Sequence, residues 1–236
     1  LEVVHRYRAA NPSVHHEKIS YAGRLDPMAE GVLLLVVGDQ SVKDDLLTLT
    51  KTYDVTMILG ITSDTYDILG LIDWTHLERL TLPVQIDVVA SRAQTLVGTY
   101  EQPYPPFSSK TVHGKPLFTY AKNGTSSQIQ IPTKMTTVHS FEITGMAQLD
   151  TQWIGRQVAE RIALVHGDFR QQEITASWQE FVQTTTVSHL TQIGFTADVS
   201  SGTYMRSLVS RLGEMLGTGA LTWSIVRTRV GSYFLK

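Results

Sequence analysis

YAGRLDPMAEGVLLLVVG, residues 21–38, is the stretch on which the reading of this chain turns. Asp26 stands between an apolar anchor, Leu25, and Pro27, whose ring fixes the backbone of the turn that follows. Val32–Val37 is a continuous apolar run bounded by Gly31 and Gly38, which predicts a strand buried on both faces. A rigid turn feeding a buried strand can hold one carboxylate in a fixed place, as a catalytic acid or nucleophile requires. An isolated Asp-Pro has a plainer reading, an Asx turn closed by the aspartate's own side chain.

Outward from this stretch, helix and strand signals mix without a repeating β-α-β rhythm. Leu1–Ala10 predicts a helix stopped near Asn11-Pro12, and Ser41–Thr50 a short helix with Leu46, Leu47 and Leu49 turned inward. Tyr53, Val55, Met57 and Leu59 share one side of a strand that ends at Gly60. The 82–95 and 140–149 segments read as strand or helix. Residues 153–165 and 171–181 have helical spacing. Phe195, Ala197 and Val199 alternate as a strand, Ser200-Ser201-Gly202 turns, and Thr203 is expected to cap the next helix. That helix lines up Met205, Leu208, Val209, Leu212, Met215 and Leu216 and ends at Gly217. Together these predict one α+β domain over residues 1–236. Residues 101–134, rich in Pro, Gly, Ser and Lys, form a surface excursion from it.

Composition narrows the chemistry. A chain of 236 residues with 42% apolar side chains can build a core of ordinary size. The absence of cysteine excludes disulfides, thiolate metal sites and cysteine nucleophiles. No apolar run has the length of a membrane span and no signal-peptide pattern opens the sequence. The first residue is Leu1, so the natural N-terminus is expected upstream. The net charge of -2 hides a segregation. Residues 104–134 hold Lys110, Lys115, Lys122 and Lys134 and no acid. Residues 200–236 hold Arg206, Arg211, Arg227, Arg229 and Lys236 against Glu214 alone. These are either two solvated surfaces or two basic walls of one groove for a polyanion.

Gly23, Leu25, Asp26, Pro27, Ala29, Gly31 and Gly38 match the pattern G-x-L-D-P-x-A-x-G, followed by an apolar strand and glycine. This resembles the signature of TruB-type tRNA pseudouridine synthases. Arg24-Leu25-Asp26 also echoes a looser form in the related rRNA enzymes. Four further segments fall in the family's order: Lys51-Thr52-Tyr53; residues 98–124; DVSSGTYMRSLVSRLGEML (198–216); and IVRTRVG (225–231). The resemblance implies a pseudouridine synthase fold, a mixed and mostly antiparallel sheet flanked by helices, with residues 101–134 as a thumb over the T-arm of tRNA. It implies isomerisation of the T-loop uridine, position 55, by a cytoplasmic and monomeric enzyme without cofactor or metal.

By the same resemblance Asp26 is the essential carboxylate, and Arg206 the cation that keeps it ionised in a site closed to water. Tyr53 stacks on the flipped base and takes part in the chemistry. Tyr204 is a second aromatic of the pocket, Ile225 packs there, and Lys110 and Lys115 belong to the thumb's contact with RNA. Three departures stand out. Tyr21 replaces the histidine that normally meets the displaced nucleotides, and Val226 replaces an arginine. The thumb's Pro-Pro and lysine are each displaced by one place. The chain ends soon after the last core motif, so a minimal form without the appended RNA-binding PUA domain is expected. Two alternatives stay open: a synthase for another RNA such as rRNA, and an RNA-binding or RNA-folding protein of the same fold with weak catalysis.

Overall fold

The computed structural model describes residues 2–79 and 84–235; the expectations for Leu1, Lys236 and the beginning of the 82–95 segment lie outside them. Helix α1 (Glu2–Ala10) stops where Asn11 donates its side-chain amide to the Tyr7 carbonyl at 2.8 Å. Strands β1 (Ile19–Ala22), β2 (Ala29–Gly31) and β3 (Leu34–Val37) and helix α2 (Lys43–Thr48) lead to the central strand, β4 (Lys51–Leu59). A small ribbon, β5 (Thr62–Ser63) with β6 (Ile72–Asp73), precedes α3 (Ile86–Gln94) and β7 (Gly98–Pro103). The chain then leaves the sheet for the ribbon of β8 (Thr111–Val112) and β9 (Lys115–Pro116) and for α4 (Leu117–Lys122). It returns as β10 (Thr133–Asp150), followed by α5 (Thr151–Ala163), α6 (Gln171–Thr184), β11 (His189–Val199), α7 (Met205–Leu216), β12 (Ala220–Val230) and β13 (Tyr233–Phe234).

The main sheet runs β13-β12-β4-β11-β10-β7, every neighbour antiparallel, and β2 joins β12 in parallel. This is the α+β architecture that the sequence predicts. Side-chain alternation along β4 explains the layers. Tyr53, Val55, Met57 and Leu59 face one core, closed by Val89 and Ala93 of α3 and by Leu208 and Leu212 of α7. Ile58 points the other way, into a second core with Ile154 and Val158 of α5 and Trp178 and Phe181 of α6. Each such side chain, fully removed from water, stabilises the fold by about 1.5–3 kcal/mol before entropy is subtracted. The central strands are therefore covered on both faces.

Two expectations need correction. The Val32–Val37 run is not a strand buried on both faces. Its strand begins at Leu34, pairs only with β1 in a separate two-stranded sheet, and buries Val36 alone. Nor does Thr203 cap α7. Tyr204 occupies the cap position, and the Thr203 hydroxyl bonds the Ser200 carbonyl at 2.8 Å instead. The ambiguous 140–149 segment is wholly strand, part of the 18-residue β10, and the described part of 82–95 is helix from Ile86.

Candidate active site

The loop carrying Asp26 is built as its sequence suggests. The Ala29 N–H donates to the Asp26 carbonyl at 2.9 Å, closing a turn with Pro27 at its second position. The chain then enters β2, which pairs with β12 so that Ala29 lies opposite Ile225 and Gly31 opposite Arg227. Gly31 has φ +105, and a Cβ there would lie inside the Arg227 backbone, so only glycine permits this pairing. The Asp26 side chain does not close an Asx turn. It crosses 180 residues of sequence to Arg206 near the start of α7.

That contact is bidentate: Arg206 Nε donates to Asp26 Oδ2 at 2.8 Å and Nη2 to Oδ1 at 3.0 Å. Arg206 is almost wholly buried, whereas the Asp26 side chain keeps 29% of its surface open. The guanidinium also donates to the carbonyls of Thr65 at 2.8 Å and Phe107 at 3.2 Å. A second carboxylate stands behind it, Asp67 Oδ2 lying 3.6 Å from Arg206 Nε. The Thr65 hydroxyl and the Leu69 N–H donate to the other oxygen of Asp67 at 2.7 and 2.9 Å. Burial raises the Asp67 carboxyl above its ordinary range, opposed by Arg206 and these donors. Burial pulls the Arg206 guanidinium down, but Asp26 and Asp67 outweigh it and hold its pKa above the usual value. The turn bearing Asp67 is made possible by Tyr66, held at φ +65, a conformation that side chains rarely adopt.

Around this pair lies a cavity of about 910 Å³. Tyr53, Tyr204 and Ile225 line it with Asp26 and Arg206, so five of the residues singled out in the sequence converge. Tyr53 is buried on β4, opposite Arg227 of β12. Burial pushes its phenol upward in pKa, while the facing Arg227 guanidinium opposes the shift. Tyr204 is fixed by a reciprocal pair: its N–H donates to Gln102 Oε1 at 2.8 Å, and Gln102 Nε2 donates to its carbonyl at 3.2 Å. Its ring meets that of Tyr104 edge-on at 5.5 Å.

The other three residues lie elsewhere. Tyr21 is half-buried on β1 against Leu35 of β3 and does not line the cavity. Lys110 and Lys115 are exposed outside it, Lys110 resting over the Tyr104 ring at 5.3 Å. One wall is shared between the excursion and the loop before α6. Lys122 donates to Asp168 Oδ2 at 2.9 Å, and Arg170 grips Asp64 at 2.7 Å while stacking on Phe107 at 4.5 Å. Residue-by-residue reading missed Asp67. The available signal was Thr65 two places before an aspartate, a hydroxyl placed to orient a buried carboxylate.

An arginine-held carboxylate in a cleft with aromatic walls, set on a mixed sheet, has the make-up of a catalytic pocket. Residues 12–160 match the family model described as TruB family pseudouridylate synthase, N-terminal domain. The chain belongs to the TruB family of pseudouridylate synthases. It is 30% identical over 220 residues to tRNA pseudouridine synthase B of Flavobacterium johnsoniae, covering 93% of this chain and 76% of the relative. It is 29% identical over 221 residues to the protein of the same name from Levilactobacillus brevis, covering 93% and 60%. Against the one from Aromatoleum aromaticum the match is 29% identical and spans 92% of this chain and 55% of the relative. The chain thus spans less than two thirds of the length of the latter two. In fold, 98% of the chain superposes on 46% of a chain in a Cbf5-Nop10-Gar1 complex, with a TM-score of 0.55 at 19% identity. Among the described residues no helix is long and apolar enough to cross a membrane.

Proposed function

We propose that this chain is a catalytic tRNA pseudouridine synthase that isomerises the T-loop uridine at position 55. The observation that carries this reading is the bidentate Asp26–Arg206 pair at the cavity wall. Arg206 holds both carboxylate oxygens of Asp26, and its further hydrogen bonds go to backbone carbonyls, so it does not follow a substrate away. The uridine swings out of the T-loop into the cavity, where its base stacks on Tyr53, with Tyr204 and Ile225 closing the pocket.

In the reaction the bond from C1′ to N1 breaks, the uracil turns, and C1′ joins C5. The proton on C5 leaves and N1 gains one, so the product is an isomer of the substrate. Asp26 begins this either by adding to C1′ or by taking the C2′ proton to give a glycal; both routes need its ionised form. We assign removal of the C5 proton to the Tyr53 hydroxyl, whose pKa burial raises and the facing Arg227 guanidinium opposes. Residues 1–236 act as one catalytic unit, with the 101–134 excursion against the T-arm and Lys110 and Lys115 on its outer side. We place the reaction in the cytoplasm with no cofactor or metal. We place the protein as a monomer.

The test is mapping of pseudouridine by mass spectrometry in an unmodified tRNA transcript incubated with the protein. Pseudouridine at position 55 is expected. Formation at another position, or only in rRNA fragments, moves the assignment to another RNA. Tight binding with no pseudouridine in any RNA replaces catalysis by an RNA-folding role.

A further inference from the structure

Apart from the exposed Arg24, the cations lining the cavity fall into two sets. Arg206 is matched by Asp26 and Asp67, Lys122 by Asp168 and Arg170 by Asp64. Among the described residues Lys51, Lys134 and Arg227 form no ion pair, and all three line the same cavity. They are also close together. The Lys51 ammonium donates to Ser201 Oγ at 3.1 Å and the Lys134 ammonium to the Ser201 carbonyl at 2.7 Å. Arg227 stands on the neighbouring strand, beside Tyr53 and two residues along from Lys51.

Lys51 is 4% exposed and Arg227 1%. Grouping buried cations without a counter-charge is costly and is tolerated where something compensates it. Their positions are nonetheless fixed. Lys51 is held by the carbonyls of Leu47 and Leu49, and Arg227 by those of Val32 at 2.7 Å and Arg24 at 3.3 Å. Gly202, at φ +79, leaves the room that the Lys134 ammonium occupies; a Cβ there would displace it. One donor is left over: Arg227 Nη2 is buried with no hydrogen-bond partner. An anion bridging the three would satisfy it and offset part of the cluster's charge.

We propose that Lys51, Lys134 and Arg227 form a binding site for one backbone phosphodiester of the RNA, beside the flipped nucleotide. The proposal rests on the reading of the cavity as a uridine pocket. Lys51 and Tyr53 share a face of β4 two residues apart, about 6–7 Å along the strand. That is comparable with the span from a phosphate to the base of its own nucleotide, so a base on Tyr53 brings a phosphate to the cluster. The Lys51 ammonium is held down to about 8, first by burial and then by the charges of Arg227 and Lys134, the strain an anion would relieve.

Lys134→Met is the informative variant, because Lys134 is half-buried and holds a single hydrogen bond in the fold, whereas Arg227→Met risks unfolding. Binding is measured to a synthetic T-arm stem-loop in which one phosphate at a time is replaced by a neutral methylphosphonate. In the wild type one position near the target uridine is expected to weaken binding about tenfold, and in Lys134→Met the same replacement costs little. Equal losses in both proteins at every position overturn the proposal. In parallel, inorganic phosphate at constant ionic strength is expected to raise the melting temperature of the wild type and not of Lys134→Met. Should the wild type make no pseudouridine, the functional reading fails while the phosphate shift still decides the cluster: a shift confined to the wild type keeps an anion site, and no shift overturns it. A phosphate shift without any methylphosphonate effect assigns the site to free phosphate and overturns the phosphodiester assignment.

Discussion

Two clusters in one cavity treat charge in opposite ways. Around Arg206 one cation meets two carboxylates, and each of its three nitrogens donates a hydrogen bond. In the other cluster Lys51 and Lys134 meet at Ser201 with Arg227 on the neighbouring strand, none of the three pairs with a carboxylate among the described residues, and a buried donor of Arg227 is left over. The first cluster is complete in the free protein and serves to hold Asp26 ready. The second is completed by whatever enters. The difference teaches that preorganisation for chemistry and preorganisation for binding look different: catalysis wants its charges matched beforehand, whereas anion recognition leaves a mismatch for the ligand to cancel.

Substitutions in the matched cluster should act on turnover. Asp26→Asn keeps size but removes the reacting carboxylate, and pseudouridine formation should fall below about one per cent of wild type with tRNA affinity nearly unchanged. Single-turnover assays with labelled uridine check this, and residual activity above that level would take Asp26 out of its role. Tyr53→Phe, at the junction of the two clusters, keeps the stacking ring and loses the hydroxyl. About a hundredfold slower turnover at preserved affinity is expected, within the range for a lost proton-transfer group. Full activity would leave Tyr53 as a stacking surface alone. Asp67→Asn should cost less, about tenfold in turnover, because Arg206 keeps its bidentate grip on Asp26 while its second carboxylate is gone. A drop in affinity rather than in turnover would show that Asp67 shapes the cavity and not Arg206.

The unmatched cluster is better probed by pH and salt. Burial, with the nearby charges of Arg227 and Lys134, holds the Lys51 ammonium down to about 8 from its ordinary 10.5. Between those values the unfolded chain holds a proton that the folded chain has released, so stability rises with pH. Relative to Lys51→Met the wild type should gain about 1.4 kcal/mol per pH unit above 8 and nothing below it. Paired urea midpoints at pH 7, 8 and 9 read this directly, and added phosphate should flatten the rise. The smallest effect is expected outside both clusters. Lys110→Gln with Lys115→Gln should lower the salt slope of tRNA binding by at most one or two contacts, about 0.7–0.9 per phosphate released. A larger change would move the main electrostatic contact from the cavity to the excursion.

The contrast also separates what the sequence made legible from what it concealed. Asp26 was singled out by the resemblance of its motif, and its position follows from local physics: a proline turn, a glycine that lets β2 lie on Arg227, and an apolar neighbour. Tyr53 and the α7 face followed from simple periodicity. Asp67 was concealed because its one local signal, Thr65 two places before it, is weak, and the left-handed conformation of Tyr66 that turns it inward is not announced by residue type. The Val32–Val37 run misled because an apolar stretch reports that a segment is covered somewhere, and not that it belongs to the central sheet. The two basic stretches were visible as charge, but charge along a chain does not say which ammonium groups find carboxylates. Lys122 does, in Asp168, and Lys134 does not. That distinction, invisible in one dimension, divides the cavity.

One feature of the connectivity reaches beyond the folded state. Asp26 and Arg206 are 180 residues apart in the chain, Lys51 and Ser201 are 150, and Arg227 and Val32 are 195. Both clusters are joined across nearly the whole length of the described chain, and β12 must arrive between β4 and β2 before either is framed. During synthesis, then, neither the charge-matched half nor the cationic half exists on a partly made protein. The wide loops that must close also place this assembly late and slow in folding. A partly made chain therefore offers no assembled site of either kind, and the cavity with both its clusters is gained in one late step.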